Sequence, residues 1–482
     1  MSQIVHSVAL DQDKCHGCTN CIKRCPTEAI RVRGGKAVII NDRCIDCGEC
    51  VRICPHQAKK ALHDKFDIIH EKKYKIALPA PALYGQFDNI EDIDLILNGL
   101  LELGFDHVFE VSRAAEIISE YSRKYIAEHA GKGHPFISTA CPAVVRLITV
   151  RFPYLCSYLL PVLPPIEIAG RMAKEEVLAK HPELTKDDIG VYFITPCPAK
   201  VSYIRNAIGV ELSAVDGALS MTDVYLRLVT AMKKVDQTKM KPLSRSGVIG
   251  ISWAASGGEA SALLNERYLA ADGIENVIKV LDEIENENFT GLNFIELNAC
   301  AGGCVGGALT VENSYIAKAR LQKLRKFLPI SQNRLRSFTE TDTDDFTPIE
   351  WQTGIDANPV MQLDGNMNAA LEMRTKMEKI KESLPGLDCG ACGAPSCVCL
   401  AEDIVRGQAN EGYCIFKMRE KIQHLYQSMA NFSFMDTLND GTAGVFPPPE
   451  IALTKMPPTE KSGANPGDIS NNTESTNDSG KS

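Results

Sequence analysis

No stretch of the chain approaches the ~18–20 consecutive apolar residues that a membrane span requires, so nothing in it reads as a transmembrane segment. The opening residues, Met1 to Asp13, lack a basic region followed by an apolar stretch, so no secretory leader is expected. An excess of basic charge is missing as well. The 52 Lys and Arg stand against 61 Asp and Glu, a net charge of −9, which argues against nucleic acid as the main partner. These absences lead to the expectation of a cytoplasmic protein that binds neither nucleic acid nor membrane. Its 482 residues suffice for about three domains at roughly 150 residues each. With 44% hydrophobic and 23% charged residues, most of the chain can bury a core.

Cysteine, by contrast, is abundant. Eighteen cysteines in a chain with no export signal do not read as a disulfide framework. Eight lie between Cys15 and Cys54, five between Cys389 and Cys414, and five are scattered between these patches. Clustered thiolates in a reducing compartment point to metal, and these spacings point to iron–sulfur.

The chain divides by pattern. Residues 1–74 form a small pseudo-repeated unit. Residues 75–330 alternate strand-like runs with helical patterns such as Ile90–Leu103 and Glu175–Ala179. The runs are Lys75–Leu78, His107–Val111, Pro135–Ser138, Gly190–Ile194, Gly247–Ser252 and Asn293–Leu297. That alternation predicts a doubly wound, mostly parallel α/β architecture. Residues 331–382 read as linker and helix: 331–365 are polar and punctuated at Thr339–Asp345 and Asn358-Pro359, and a helix follows from Asn366 to Lys381. A second cysteine-rich patch occupies 383–432. From 433 to 482 the chain is rich in Pro, Ser, Asn and Thr, which predicts a disordered tail.

Cys15-x2-Cys18-x2-Cys21-x3-Cys25-Pro26 is followed by Cys44-x2-Cys47-x2-Cys50-x3-Cys54-Pro55. Each run matches the bacterial two-cluster ferredoxin pattern, in which the fourth cysteine ligates the other cluster. On that pattern one 4Fe–4S cube takes Cys15, Cys18, Cys21 and Cys54, and the other takes Cys44, Cys47, Cys50 and Cys25. The short spacing wraps backbone N–H groups around each anionic cube, and Pro26 and Pro55 turn the chain away. The alternative is a pair of structural zinc knuckles, against which the doubled spacing argues. The pattern says that electrons pass, not where they go.

Three segments of the α/β region carry four more cysteines, each just beyond a strand-like run. They are Ser138-Thr139-Ala140-Cys141-Pro142-Ala143, Thr195-Pro196-Cys197-Pro198-Ala199-Lys200 and Glu296-Leu297-Asn298-Ala299-Cys300-Ala301-Gly302-Gly303-Cys304. Ligands of open α/β sheets bind beyond the carboxyl ends of strands, so three such junctions can converge on one site. Four thiolates satisfy a 4Fe–4S cube. Gly302, Gly303, Gly306 and Gly307 let the backbone approach a bulky cofactor. The alternative for any of the four is a buried apolar cysteine, the reading given to Cys156.

These three segments resemble the signature motifs of the FeFe hydrogenase active-site domain. The resemblance implies that Cys141, Cys197, Cys300 and Cys304 hold a 4Fe–4S cube. It implies further that Cys304 bridges to a diiron unit carrying CO, cyanide and azadithiolate, the whole forming the H-cluster. By the same carry-over Lys200 would meet a cyanide ligand and Ala80-Pro81-Ala82 would line the diiron pocket. Trp253-Ala254-Ala255-Ser256-Gly257-Gly258 resembles the glycine-rich segment behind it.

The departures matter equally. Catalytic members carry a proton-relaying cysteine immediately before the first ligand, where this chain has Ala140. The relay serine falls at Leu160, and the relay glutamates fall at Ser122 and Tyr125 on the helix after Glu116. A methionine beside each of the second and third motifs is replaced by Thr195 and Asn298, and a serine near one cyanide by Ala82. Alanine has no proton to give and leucine cannot hydrogen-bond, so the usual acid–base route is missing. An intact cradle with a broken relay resembles the sensory branch of the family, whose members often end in a further iron–sulfur module.

Such a module is legible at Cys389-x2-Cys392-x4-Cys397-x16-Cys414. It is similar to the small 4Fe–4S domain attached to electron-transfer complexes and corrinoid proteins. A helix from Cys397 to Gln408 would bring Cys414 back to the cube, leaving Cys399 structural. Zinc is the alternative occupant, and the redox company elsewhere in the chain favours iron. Ile415, Met418, Ile422, Leu425, Met429 and Phe432 then recur at heptad spacing. This stripe either packs on its own module or forms a homodimer or partner-docking helix.

The expectation is therefore a protein with four 4Fe–4S clusters and a diiron unit. It would bind H2, cleave it slowly and reversibly, and pass electrons to a redox partner such as ferredoxin or to a signalling protein. Two alternatives remain: a metabolic, ferredoxin-linked hydrogenase, and an iron–sulfur assembly or scaffold protein lacking the diiron unit.

Overall fold

The computed structural model describes residues 5–129, 133–289, 291–335, 348–358 and 360–439. Residues 1–420 form one unit and 421–482 a second. In the first, the ferredoxin-like segment is built from four short strands. β1 (Val8–Leu10) pairs antiparallel with β4 (Lys59–Ala61), and β2 (Ile30–Arg33) with β3 (Lys36–Ile39). The cysteine runs occupy the loops and single helical turns between them.

The α/β region carries two parallel sheets. β5 (Tyr74–Pro79), β6 (His107–Val108), β8 (Ile189–Thr195) and β9 (Gly217–Ser220) form one, in the order β6-β5-β8-β9. β7 (Phe136–Ile137), β10 (Tyr268–Asp272) and β11 (Phe294–Asn298) form the other, in the order β10-β11-β7. Every residue of β8 is buried, as expected of a strand covered on both faces. Helices Val111–Glu128, Pro142–Arg151, Pro165–Lys180 and Pro198–Arg205 pack around the sheets. Three of them open on proline, which suits a first helical turn because its missing N–H would have no partner there.

The structure corrects four sequence readings. Gly247–Ser252 is not a strand: Val248–Ser252 is a short helix. A Cβ on Gly250 would fall 2.2 Å from the Ser112 carbonyl oxygen, so this segment presses on the helix Val111–Glu128, and that packing overrides its β-branched composition. Gly217–Ser220 and Tyr268–Asp272 are strands that their composition did not mark. Each is defined by its parallel register with a neighbouring strand, Tyr192–Thr195 and Phe294–Asn298 respectively. The stretch read as linker is stitched into the domain where it is described. Ile349 is buried, Trp351 N–H donates to the Pro161 carbonyl, and the Trp351 ring covers Gly209.

The helix expected at 366–381 runs Met367–Ser383, and the one expected at 397–408 runs Cys397–Val405. The helix Ile415–Asn439 takes in the first residues of the segment read as a tail, and 440–482 lie outside the described residues. Among the described residues, no helix is long and apolar enough to cross a membrane.

Candidate iron–sulfur and metal centre

The eight N-terminal cysteines fall into two cavities. Cys15, Cys18, Cys21 and Cys54 line one, and Cys25, Cys44, Cys47 and Cys50 line the other. Backbone N–H groups already point at the sulfurs: Ala37 to Cys15 at 3.3 Å, Ala29 to Cys25 at 3.2 Å and Ala58 to Cys54 at 3.2 Å. Burial pushes the thiols of Cys44, Cys47 and Cys50 up, that of Cys50 to about 12. Lys59 is buried, lines the first cavity, and its Nζ has no hydrogen-bond partner. An unpaired buried ammonium is costly beside neutral groups, so it fits a site that carries negative charge. Four-thiol donor sets and N–H donors aimed at sulfur are what anionic 4Fe–4S cubes require.

The central cysteines sit where strands meet helices. Cys141 lies beyond β7 as the cap of helix Pro142–Arg151, and Cys197 lies beyond β8 as the cap of helix Pro198–Arg205. Cys300 and Cys304 follow β11, Cys304 opening a single turn that ends at Gly306. The third loop is clamped from two sides. Val305 N–H donates to the Ala254 carbonyl at 3.0 Å, and Leu309 N–H to the Pro196 carbonyl at 2.8 Å. Gly303 has a φ of +88°, and a Cβ there would lie 2.4 Å from the Ser256 nitrogen. A Cβ on Gly307 would lie 2.1 Å from the Pro196 oxygen. Only glycine permits these approaches.

Burial pushes Cys300 and Cys304 up to about 12, and each is raised further by the neighbouring thiolates of Cys141 and Cys197. Burial raises Cys197 as well, and thiols raised in this way would stay protonated without a metal to hold them as thiolates. Lys200 shows the complementary effect. Burial works against its charge, but the thiolates of Cys304, Cys197, Cys141 and Cys300 outweigh it and raise its pKa. Its Nζ donates to the Ala140 carbonyl at 3.0 Å. The donor set and the glycine cradle fit a bulky anionic metal cluster.

Pro81 and Ala82 are buried in the turn Pro81–Gln86 that follows β5. Thr195 closes on its own motif: its Oγ1 donates to the Cys197 carbonyl at 3.0 Å and accepts from Cys197 N–H at 3.3 Å. Asn298 Nδ2 donates to Glu296 Oε1 at 2.7 Å. Leu160 is buried in the core, the buried Ser122 Oγ has no hydrogen-bond partner, and the Tyr125 ring stacks on His129 at 4.1 Å. No acid–base chain links these positions among the described residues.

The carboxylates that do stand beside the centre carried no role in the sequence reading. Ser138 Oγ accepts from Ala140 N–H at 3.2 Å and donates to Glu259 Oε2 at 2.6 Å. Burial pushes Glu259 up to about 8, aided by repulsion from Glu296, while Ser138 and Lys200 oppose the shift. Burial also raises Glu296, although Gly257 N–H and Ala260 N–H donate to it at 2.9 and 2.8 Å. Their sequence signal was an acidic residue inside an otherwise apolar or glycine-rich motif.

Gathering four partly buried cysteines at strand ends, beside a ferredoxin-like segment with two four-cysteine cavities, defines a multi-cluster iron–sulfur protein. The family model described as "Iron only hydrogenase large subunit, C-terminal domain" matches residues 73–269 and 228–308. A 4Fe–4S dicluster domain matches 7–55, and an Fe–S cluster family matches 384–416. The chain belongs to the FeFe hydrogenase family. It is 27% identical to the periplasmic Fe hydrogenase large subunit of Nitratidesulfovibrio vulgaris, over 63% of this chain and 86% of that protein. It is 23% identical to iron hydrogenase 1 of Clostridium pasteurianum, over 54% of each. A solved variant of the FeFe-hydrogenase HydA1 from Chlamydomonas reinhardtii superposes with a TM-score of 0.46 at 16% identity, over 60% of this chain and 95% of that one.

Proposed function

We propose that the chain binds H2 at the Cys141, Cys197, Cys300 and Cys304 centre, cleaves it slowly and reversibly, and reports hydrogen or redox state along four 4Fe–4S clusters. The observation that carries the reading is an intact cysteine cradle in which position 140 is alanine and position 160 leucine. When bound, a diiron unit with CO, cyanide and azadithiolate ligands, held through Cys304, would supply the metal that polarises H2 and a base for its proton. Lys200 would hold negative charge at the inner wall, and buried Pro81 and Ala82 would exclude water.

In place of the missing thiol, we assign the buried Glu259 carboxylate as the proton acceptor. Ser138 connects the backbone at Ala140 to Glu259, and the Glu296 carboxylate lies close enough to repel it. A hydroxyl and a buried carboxylate pair replace the thiol-led chain, which supports low turnover over none. General acid–base groups typically contribute ~10²–10⁴-fold, so turnover of matured protein should lie about that far below a thiol-bearing hydrogenase while H2 still shifts its infrared bands. Ala140→Cys should recover only part of the difference, because Leu160 interrupts the onward path. Wild-type turnover equal to that of a thiol-bearing hydrogenase would overturn the sensory reading.

The partner side of the proposal is a homodimer through the helix that follows Cys414. Ile415, Met418, Ile422, Leu425 and Met429 all have exposed side chains, while that of Phe432 lies outside those described. Ile422→Lys with Leu425→Lys should convert a sedimenting dimer to monomer with all clusters retained. A wild-type monomer at micromolar concentration would dispose of the interface.

A further inference from the structure

The C-terminal cysteine module is not a separate appendage. Its helix Cys397–Val405 carries two buried carboxylates, Glu402 and Asp403, that face three arginines of the ferredoxin-like segment. Arg31 grips Asp403 with two nitrogens: Nε at 3.1 and 2.8 Å from the two carboxylate oxygens, and Nη2 at 3.0 Å from Oδ1. Arg33 Nη2 donates to the same carboxylate at 2.5 Å, and Arg43 pairs with Glu402. The Arg31–Asp403 and Arg43–Glu402 pairs are almost wholly out of water. Buried ion pairs contribute little net stability, because desolvation cancels much of the attraction, but they fix relative placement sharply. Their value here is one of position.

The position they enforce brings two cluster sites together. Val32 lines the Cys15–Cys54 cavity, and its N–H donates to the Gly393 carbonyl at 2.8 Å, one peptide beyond Cys392. Gly393 has a φ of +77°, and a Cβ there would lie 2.0 Å from the Val32 oxygen. Arg33 Nη1 donates to the Cys392 carbonyl at 3.2 Å. Gly390, between Cys389 and Cys392, lies against Lys23 and Ile22, the residues that follow Cys21. Lys23 Nζ donates to the Pro395 carbonyl at 2.7 Å and also to that of Asp388.

The opposite end of the ferredoxin-like segment touches the central site. A Cβ on Gly48, in the second cavity, would fall 2.9 Å from Pro198, the residue after Cys197. Arg52 Nη2 donates to the Gly306 carbonyl at 2.6 Å and its cation faces the thiols of Cys300 and Cys47. The four cluster sites therefore lie in one file: central, Cys25/44/47/50, Cys15/18/21/54, then Cys389/392/397/414.

From this we infer that the C-terminal cluster is the terminal station of the electron line, coupled to the Cys15–Cys54 cluster across the Val32–Gly393 hydrogen bond and held in place by the Arg31, Arg33 and Arg43 lock on Glu402 and Asp403. The inference rests on the proposed hydrogenase reading for its electron source, H2 yielding two protons and two electrons. Each transfer moves one electron: the reduced Cys15–Cys54 cluster is reoxidised as the C-terminal cluster is reduced. A one-electron acceptor outside the chain then empties the last station, where Cys389 is exposed.

The test is electron paramagnetic resonance on the full chain with its clusters loaded and reduced by dithionite, which needs no H2 chemistry. Cys389→Ser with Cys392→Ser, lacking only the last cluster, should lose part of the spin–spin broadening and saturate at several-fold lower microwave power. Asp403→Asn, with its iron content unchanged, should move the spectrum the same way. Signals from the N-terminal clusters that superimpose with and without the C-terminal cluster would overturn the inference, whatever becomes of Asp403→Asn. Clusters reduced by dithionite but never by H2 would overturn the hydrogenase reading and leave the wiring standing.

Discussion

Cys304→Ala is expected to abolish the infrared bands of CO and cyanide in matured protein, while Cys389→Ala leaves them in place. The two thiols differ in surroundings. Cys304 is pushed up to about 12 by burial, faces the Lys200 cation, and opens a turn pinned between the Ala254 and Pro196 carbonyls. A thiolate there exists only as a metal ligand, and alanine removes it without leaving a substitute donor in that turn. Cys389 is exposed and belongs to the module that faces the ferredoxin-like segment, far along the file from the centre. Full-intensity bands surviving Cys304→Ala would remove Cys304 from the role of bridging ligand. The iron content of both variants shows whether the remaining cubes stayed loaded.

Glu259→Gln should lower H2 oxidation and evolution by about 10²–10⁴-fold, equivalent to about 3–5 kcal/mol of barrier, with H2-induced infrared changes intact. Glutamine keeps the shape and can still accept from Ser138, but it cannot hold or release a proton. The pH profile separates this role from a structural one. With Glu259 pushed up to about 8, oxidation, which needs an ionised acceptor, should rise as pH increases through that value. Evolution, which needs the protonated form, should fall over the same range.

Stability should follow the same titration. Between the ordinary carboxylate value and about 8 the folded protein holds a proton at Glu259 that the unfolded chain has lost. Stability therefore declines as pH rises across that window, and Glu259→Gln should flatten the decline in denaturant midpoints. Unchanged turnover and pH profile in Glu259→Gln would exclude the carboxylate pair from proton transfer.

Some of the site was legible because ligand spacing is a local property. The x2-x2-x3-Pro runs and the strand–Cys–Pro junctions at Cys141 and Cys197 can be read from the order of residues, since proline at a first helical turn and glycine at a tight approach act through nearest neighbours. Glu259 and Glu296 could not be found that way. They are 37 positions apart, and what makes them chemically unusual is burial together beside Ser138 and Lys200. The short helix Val248–Ser252 was misread for a related reason: five residues of ordinary strand composition yield to a neighbouring helix that approaches Gly250.

By itself the sequence determined the iron–sulfur character of the protein, the alternating α/β pattern and the absence of a thiol at position 140. These depend on residue identity and short-range spacing. Tertiary structure alone decided that the C-terminal module faces Arg31, Arg33 and Arg43, that the cluster sites stand in file, and that the carboxylates beside the centre share a buried place. Those features join residues up to 372 positions apart, and burial and charge pairing at that separation exist only once the chain has closed around them.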